Sequence, residues 1–147
     1  SPDIKNGAAY VEAIYRWLDQ NFVAGTQWSY TPGRTEQGKD GWNVEDLSIV
    51  DDKMQLRSAV FTPRPYPQKT AGRPVRFERQ TAGFTYSWSN DPSLGGGKTE
   101  FYVPEGYSNG KSWKASPFWA GVSCSMTGSH QATCKSNYRG GVSVTLK

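Results

Sequence analysis

Two hydrophobic periodicities run along this chain. In residues 7–21 Val11, Ile14 and Leu18 recur three and four apart, with Tyr10 and Trp17 widening the stripe, which predicts an amphipathic helix. Asn6 is placed to cap its start and Asn21 its end, and Glu12 stands four residues before Arg16 in the favourable order for an ion pair. Phe22–Tyr30 follows, aromatic and β-prone, and Thr31-Pro32-Gly33 stops it at once, predicting a short strand. Residues 31–46 read as a polar loop with Trp42 in it, and 47–61 as either a last helix or an irregular return.

After the proline-spaced stretch Thr62-Pro63-Arg64-Pro65-Tyr66-Pro67 the period changes from helical to two. Val75 and Phe77, then Phe84, Tyr86 and Trp88, then Thr99, Phe101 and Val103 alternate with polar residues. Val122, Cys124 and Met126, then Ala132 and Cys134, then Val142, Val144 and Leu146 do the same. Short alternating runs separated by Gly, Asn and Pro predict an antiparallel β-sandwich. The expected organisation is therefore an α/β segment at 1–61 and an all-β domain at 62–147. A helix feeding one short strand is half of a β/α unit, and such a strand needs neighbours that 1–61 does not supply. The expectation is that this chain, which opens on Ser1-Pro2-Asp3, is the C-terminal piece of a larger protein, cut or processed, and that another polypeptide supplies the missing strands.

Composition sharpens this division. Residues 1–61 carry six Lys/Arg against nine Asp/Glu, and residues 62–147 carry eleven against four. A basic domain can meet nucleic acid, an anionic membrane or an acidic glycan, but the basic residues are scattered singly, which argues against nucleic acid. Aromatics at 14% and 16 glycines suit a turn-rich β domain that handles carbohydrate. Mean hydropathy is −0.70, and no apolar run is long enough to span a bilayer. Cys124 and Cys134 lie on expected neighbouring strands. They are either a disulfide, contributing about 2–3 kcal/mol and implying a secreted protein, or two buried thiols. With one histidine, His130, they do not complete a zinc site, and no cofactor is expected.

The stretch from Arg64 to Gly110 resembles the C-terminal domain of endoglycoceramidases and their relatives in glycoside hydrolase family 5. The matching features are Arg64-Pro65-Tyr66-Pro67, Ala71-Gly72-x-Pro74, Phe84-Thr85-Tyr86 and Thr99-Glu100-Phe101-Tyr102-Val103-Pro104. Upstream, Tyr10–Phe22 is similar to the seventh barrel helix, Gln27-Trp28-Ser29-Tyr30 to the eighth strand, and Gly41-Trp42-Asn43-x-Glu45-Asp46-Leu47-Ser48 to the loop after it. The resemblance implies the end of a (β/α)8 barrel followed by the sandwich. It implies a secreted, retaining glycosidase that cleaves the oligosaccharide–ceramide bond of glycosphingolipids with two glutamates roughly 5–5.5 Å apart. Both glutamates belong upstream of the seventh helix, so no catalytic residue is assigned to this chain. The partners implied are the N-terminal catalytic part of the same enzyme, a glycosphingolipid, and possible contact with a membrane surface.

By the same resemblance Trp28 forms the floor of the subsite for the cleaved sugar, and an aromatic face does stack on the C–H face of a sugar ring. Tyr30, Trp42, Asn43 and Glu45 are further candidates for contact with sugar or lipid, or for pinning the loop. Arg34 and Lys39 are expected to be solvated. Two other readings compete. One is a glycan- or membrane-binding sandwich that exposes Trp113, Phe118 and Trp119. The other is a related glucosylceramidase or sterol glucosidase, which nothing in this chain separates from an endoglycoceramidase.

Overall fold

The computed structural model describes residues 4–41, 45–58, 60–80 and 82–147. The chain divides into two units, Ser1–Pro63 and Arg64–Lys147.

In the first unit the helical stripe folds as α1, Ile4–Asn21. It begins earlier than its apolar period indicates, so Asn6 lies inside it rather than at its cap. At the other end Phe22 takes a left-handed conformation (φ 53°), with Val23 N donating to Leu18 O at 3.0 Å and Phe22 N to Asp19 O at 3.4 Å. This is the Schellman closure, here with Phe where Gly is usual. Asn21 Nδ2 donates to Trp17 O at 2.8 Å and satisfies another terminal carbonyl. Glu12 and Arg16 pair at 3.9 Å on the exposed face. Of the apolar stripe Val11 is buried, whereas Tyr10, Ile14 and Trp17 are exposed.

Residues 22–30 form no strand ladder. The expected strand is corrected to an irregular segment for a simple reason: backbone ladders need a neighbour, and no described residue of this unit lies alongside it as a strand. Residues 45–58 are an irregular return with one bridge, Val50 to Leu56. No described helix is long and apolar enough to cross a membrane.

The second unit is the expected antiparallel sandwich. Its strands are β1 (Tyr66–Lys69), β2 (Gly72–Gln80), β3 (Gly83–Asn90), β4 (Lys98–Tyr102), β5 (Trp113–Ser116), β6 (Ser123–Met126), β7 (Gln131–Lys135) and β8 (Gly140–Leu146). They form two four-stranded sheets, ordered β1-β4-β7-β6 and β2-β3-β8-β5. Period-two alternation puts Phe84, Tyr86 and Trp88 of β3, Phe101 of β4, Ala132 and Cys134 of β7, and Val142, Val144 and Leu146 of β8 into one core. Phe101 joins the sheets: its ring lies 5.3 Å from Phe84 and 5.4 Å, edge-on, from Tyr86. Such tilted and T-shaped pairs add to the area they bury.

Alternation fails in β2, where Phe77 is buried but Val75 is 58% exposed. The register explains it: Pro74 faces Trp88 and Arg76 faces Ser87, so Val75 is the extra residue of a β-bulge and turns outward. Cys124 and Cys134 are directly paired across β6 and β7 and form a disulfide, with Cα atoms 4.0 Å apart. It fastens an edge strand to the interior of its sheet. The turn before β4 requires glycine at Gly97, where φ is +70° and a Cβ would stand 2.3 Å from Ser136 O.

Candidate functional site

The expected sugar-contact residues lie on the segment after α1 and on the loop beyond it. Three anchors fix the segment. Gln27 accepts from Tyr15 Oη at 3.1 Å and donates through Nε2 to Val60 O at 3.2 Å, tying α1 to the end of the return. Ile49 N donates to Ser29 O at 3.0 Å, and Thr31 N donates to Ser48 Oγ at 3.2 Å. The backbone of residues 27–31 is thereby held although it belongs to no sheet. The Trp28–Ser29 peptide is cis. Ser29 turns inward, and Trp28 and Tyr30 on either side turn out, 63% and 56% exposed.

Trp28 opens onto a groove of about 490 Å³. Tyr10, Ile14 and Leu18 of α1 give it an apolar wall, and Gln27, Trp28 and Glu45 give it a mixed one. The structure thus brings Trp28 and Glu45 to one concavity. Tyr30 is not part of its lining and lies with its hydroxyl 4.0 Å from Met54 Sδ. Trp42 and Asn43 lie outside the described residues. An indole beside an apolar wall and a carboxylate can stack on a sugar face and accept from its hydroxyls.

Beneath the loop lies a buried ion cluster that sequence reading missed. Arg34 is not solvated; it is 2% exposed. Its Nε donates to Asp46 Oδ1 at 2.8 Å and Nη2 to Asp46 Oδ2 at 3.3 Å, a two-point fork, while Nη1 reaches Glu36 at 2.6 Å. Arg57 adds a contact to Asp46 Oδ1 at 2.9 Å and donates to Ser48 O at 2.7 Å. Lys39, also expected in solvent, is largely covered and meets Glu36 at 3.4 Å. Burial pushes the Asp46 carboxyl up, but the Arg34 hydrogen bond and the Arg57 and Arg34 charges outweigh it and hold the group below the ordinary carboxylate range. The Arg34 guanidinium is correspondingly raised, first by its bonds to Asp46 and Glu36. The cluster positions the loop: Arg34 and Asp46 are enclosed within it, and Glu36 stands exposed at its edge. No local signal marks it, because Arg34 and Asp46 are far apart in sequence and only the loop's return brings them together.

The sandwich places its aromatic candidates differently from one another. Trp113 packs inward, 5.7 Å from Phe84 and 6.0 Å from Phe101, and is not an exposed site. Phe118 and Trp119 stand outside, 85% and 68% exposed. Among the described residues no group of three or more His, Cys, Asp or Glu could hold a metal ion.

Residues 64–145 match the glycoside hydrolase family 5 C-terminal domain. The chain belongs to this family. A glucosylceramidase of Rhizopus delemar is 28% identical over an alignment 126 residues long that covers 68% of this chain and 18% of that protein. Endo-glycoceramidase II from Rhodococcus sp., in complex with a cellobiose-like imidazole, superposes with a TM-score of 0.69 at 17% identity, over 99% of this chain and 30% of that one. Sterylglucosidase 1 of Cryptococcus neoformans superposes with a TM-score of 0.77 at 18% identity, over 100% of this chain and 24% of that one. The chain therefore spans about a fifth of the curated relative it matches, and the two structural likenesses show a shared fold. The family 5 match begins at Arg64, the first residue of the second unit.

Proposed function

We propose that this chain is the C-terminal part of a retaining family 5 glycosidase that hydrolyses the oligosaccharide–ceramide linkage of glycosphingolipids. The family 5 match over residues 64–145 carries the reading. Similarity to proteins named for ceramide- and sterol-linked sugars supports a lipid aglycone. In this reading residues 1–61 end a (β/α)8 barrel, and the catalytic glutamate pair lies in the N-terminal part of the same enzyme. One glutamate acts as acid and then base; the other attacks the sugar carbon and forms a glycosyl-enzyme that water releases. Trp28 offers its exposed face as the floor under the sugar, and Glu45 on the same groove accepts from sugar hydroxyls. A secreted location goes with this reading and is supported by the Cys124–Cys134 disulfide.

A glucosylceramidase is the second reading, favoured by the 28% identity to a protein of that name. Assaying the chain together with its catalytic barrel on a ganglioside, on glucosylceramide and on a sterol glucoside divides the readings. Release of an intact oligosaccharide from the ganglioside is the expected result. Turnover of glucosylceramide alone sinks the first reading in favour of the second.

A further inference from the structure

Phe118 and Trp119 are the most exposed large apolar side chains in the described structure, at 85% and 68%. They occupy a one-turn helix, Phe118–Ala120, that carries the chain from β5 at the edge of one sheet to β6 at the edge of the other. The turn is held rigidly from below. Ala120 is 3% exposed, its carbonyl accepts from the buried Ser136 Oγ at 2.6 Å, and its N–H donates to Pro117 O at 3.1 Å. Two apolar rings are thus presented on an ordered support, so engaging them costs little further ordering.

The rings meet at 80° with centroids 5.2 Å apart. Rings at this angle form a projecting wedge and not one continuous flat face. A wedge of Phe and Trp suits the boundary between headgroups and acyl chains, where the indole keeps its N–H in reach of polar groups. Charge points the same way. Residues 106–147, which build this end of the chain, contain Lys111, Lys114, Lys135, Arg139 and Lys147 and no Asp or Glu. Arg139 is paired with Asp91 at 2.6 Å, and Lys111 and Lys147 lie at the end of β5 and β8 away from the turn, which leaves Lys114 and Lys135 as the cations nearest it. Lys114 is exposed on β5, the strand that leads into the wedge, and Lys135, exposed on β7, is paired in register with Ser123 at the start of β6, the strand that leaves it.

We propose that the Phe118–Trp119 turn is a lipid-interface anchor, inserting its two rings into an anionic bilayer surface while the surrounding lysines hold the headgroups. The anchor goes beyond the glycosidase reading and stands whether or not that reading holds.

The full 147-residue chain is titrated with vesicles of phosphatidylcholine containing a minority of phosphatidylserine, some with brominated acyl chains, while tryptophan fluorescence and co-sedimentation are followed. Binding with a blue shift and bromine quenching is expected. Phe118→Ser/Trp119→Ser should weaken partitioning by at least about tenfold, with circular dichroism and melting temperature unchanged. Phe118→Leu/Trp119→Leu, which keeps the apolar wedge, should retain most of the binding. Raised salt or omission of phosphatidylserine should weaken it as the lysine contribution is screened or removed. The proposal is overturned if the chain ignores these vesicles, as it would if another part of the protein covers the turn. It is equally overturned if the serine variant binds as well as the parent, or if lactose rather than vesicles perturbs Trp119.

Discussion

Arg34 Nε lies 2.8 Å from Asp46 Oδ1, and both side chains are 3% exposed. With Arg57 closing on the same carboxylate, this pair fastens the two halves of the loop that follows Trp28. Breaking one partner of a buried pair leaves the other charged and desolvated. Asp46→Asn should therefore destabilise the first unit by about 3–5 kcal/mol at neutral pH. Amide hydrogen exchange over residues 27–58 should rise in this variant and stay unchanged in the sandwich.

The same carboxyl makes the loop acid-sensitive. Asp46 holds its proton more weakly when folded than when unfolded. Its stabilisation is then complete above the ordinary carboxylate pKa of about 4 and is lost as pH falls through the lower folded value. Exchange protection of the loop should be flat from neutral pH down to about 4 and fall below it. Asp46→Asn should remove most of that fall.

In the sandwich, Phe101 touches Phe84, Tyr86 and Trp113 across the two sheets and is fully buried. Phe101→Ala leaves a ring-sized void between layers that β-sheets cannot collapse into. A loss of about 3–5 kcal/mol is expected by urea denaturation, with an unchanged slope if unfolding stays two-state.

The Cys124–Cys134 bond closes a short loop, with a sequence separation of 10. Replacing both cysteines by alanine should cost about 2–3 kcal/mol through the freer unfolded chain. Exchange should rise first at β6, which has a single strand neighbour. Equal melting temperatures with and without reductant would count against this.

For the glycosidase reading, Trp28 is the residue to test. At 63% exposure it contributes little to the fold, so Trp28→Ala should leave the melting temperature nearly unchanged. In the enzyme complete with its barrel, kcat/KM should fall about tenfold or more, and Trp28→Phe should recover much of it. A variant as active as the parent removes Trp28 from the site.

What was legible in the chain follows from the range over which each signal acts. The alternation in β3, β4, β7 and β8 could be read directly, because successive side chains of a strand face opposite ways wherever the strand lies. The stripe of α1 was legible for the same reason, although its start at Ile4 was not. Among the site candidates, the outward aim of Trp28 and Tyr30 fits their spacing of two, but the shared groove of Trp28 and Glu45 depends on how the return packs against α1.

The amino-acid order by itself determined the sandwich, its core rings and the pairing of Cys124 with Cys134 as one of two options, since these rest on local period and close spacing. Tertiary structure alone decided the rest. It made Val75 a bulge by setting β2 against β3, buried Arg34 by bringing Asp46 and Arg57 to it, and turned Trp113 inward while leaving Phe118 and Trp119 outside. Each of those outcomes depends on which distant residue becomes a neighbour. A side chain's own chemistry is compatible with either answer, and the free energy of burial chooses only when the partner is in place.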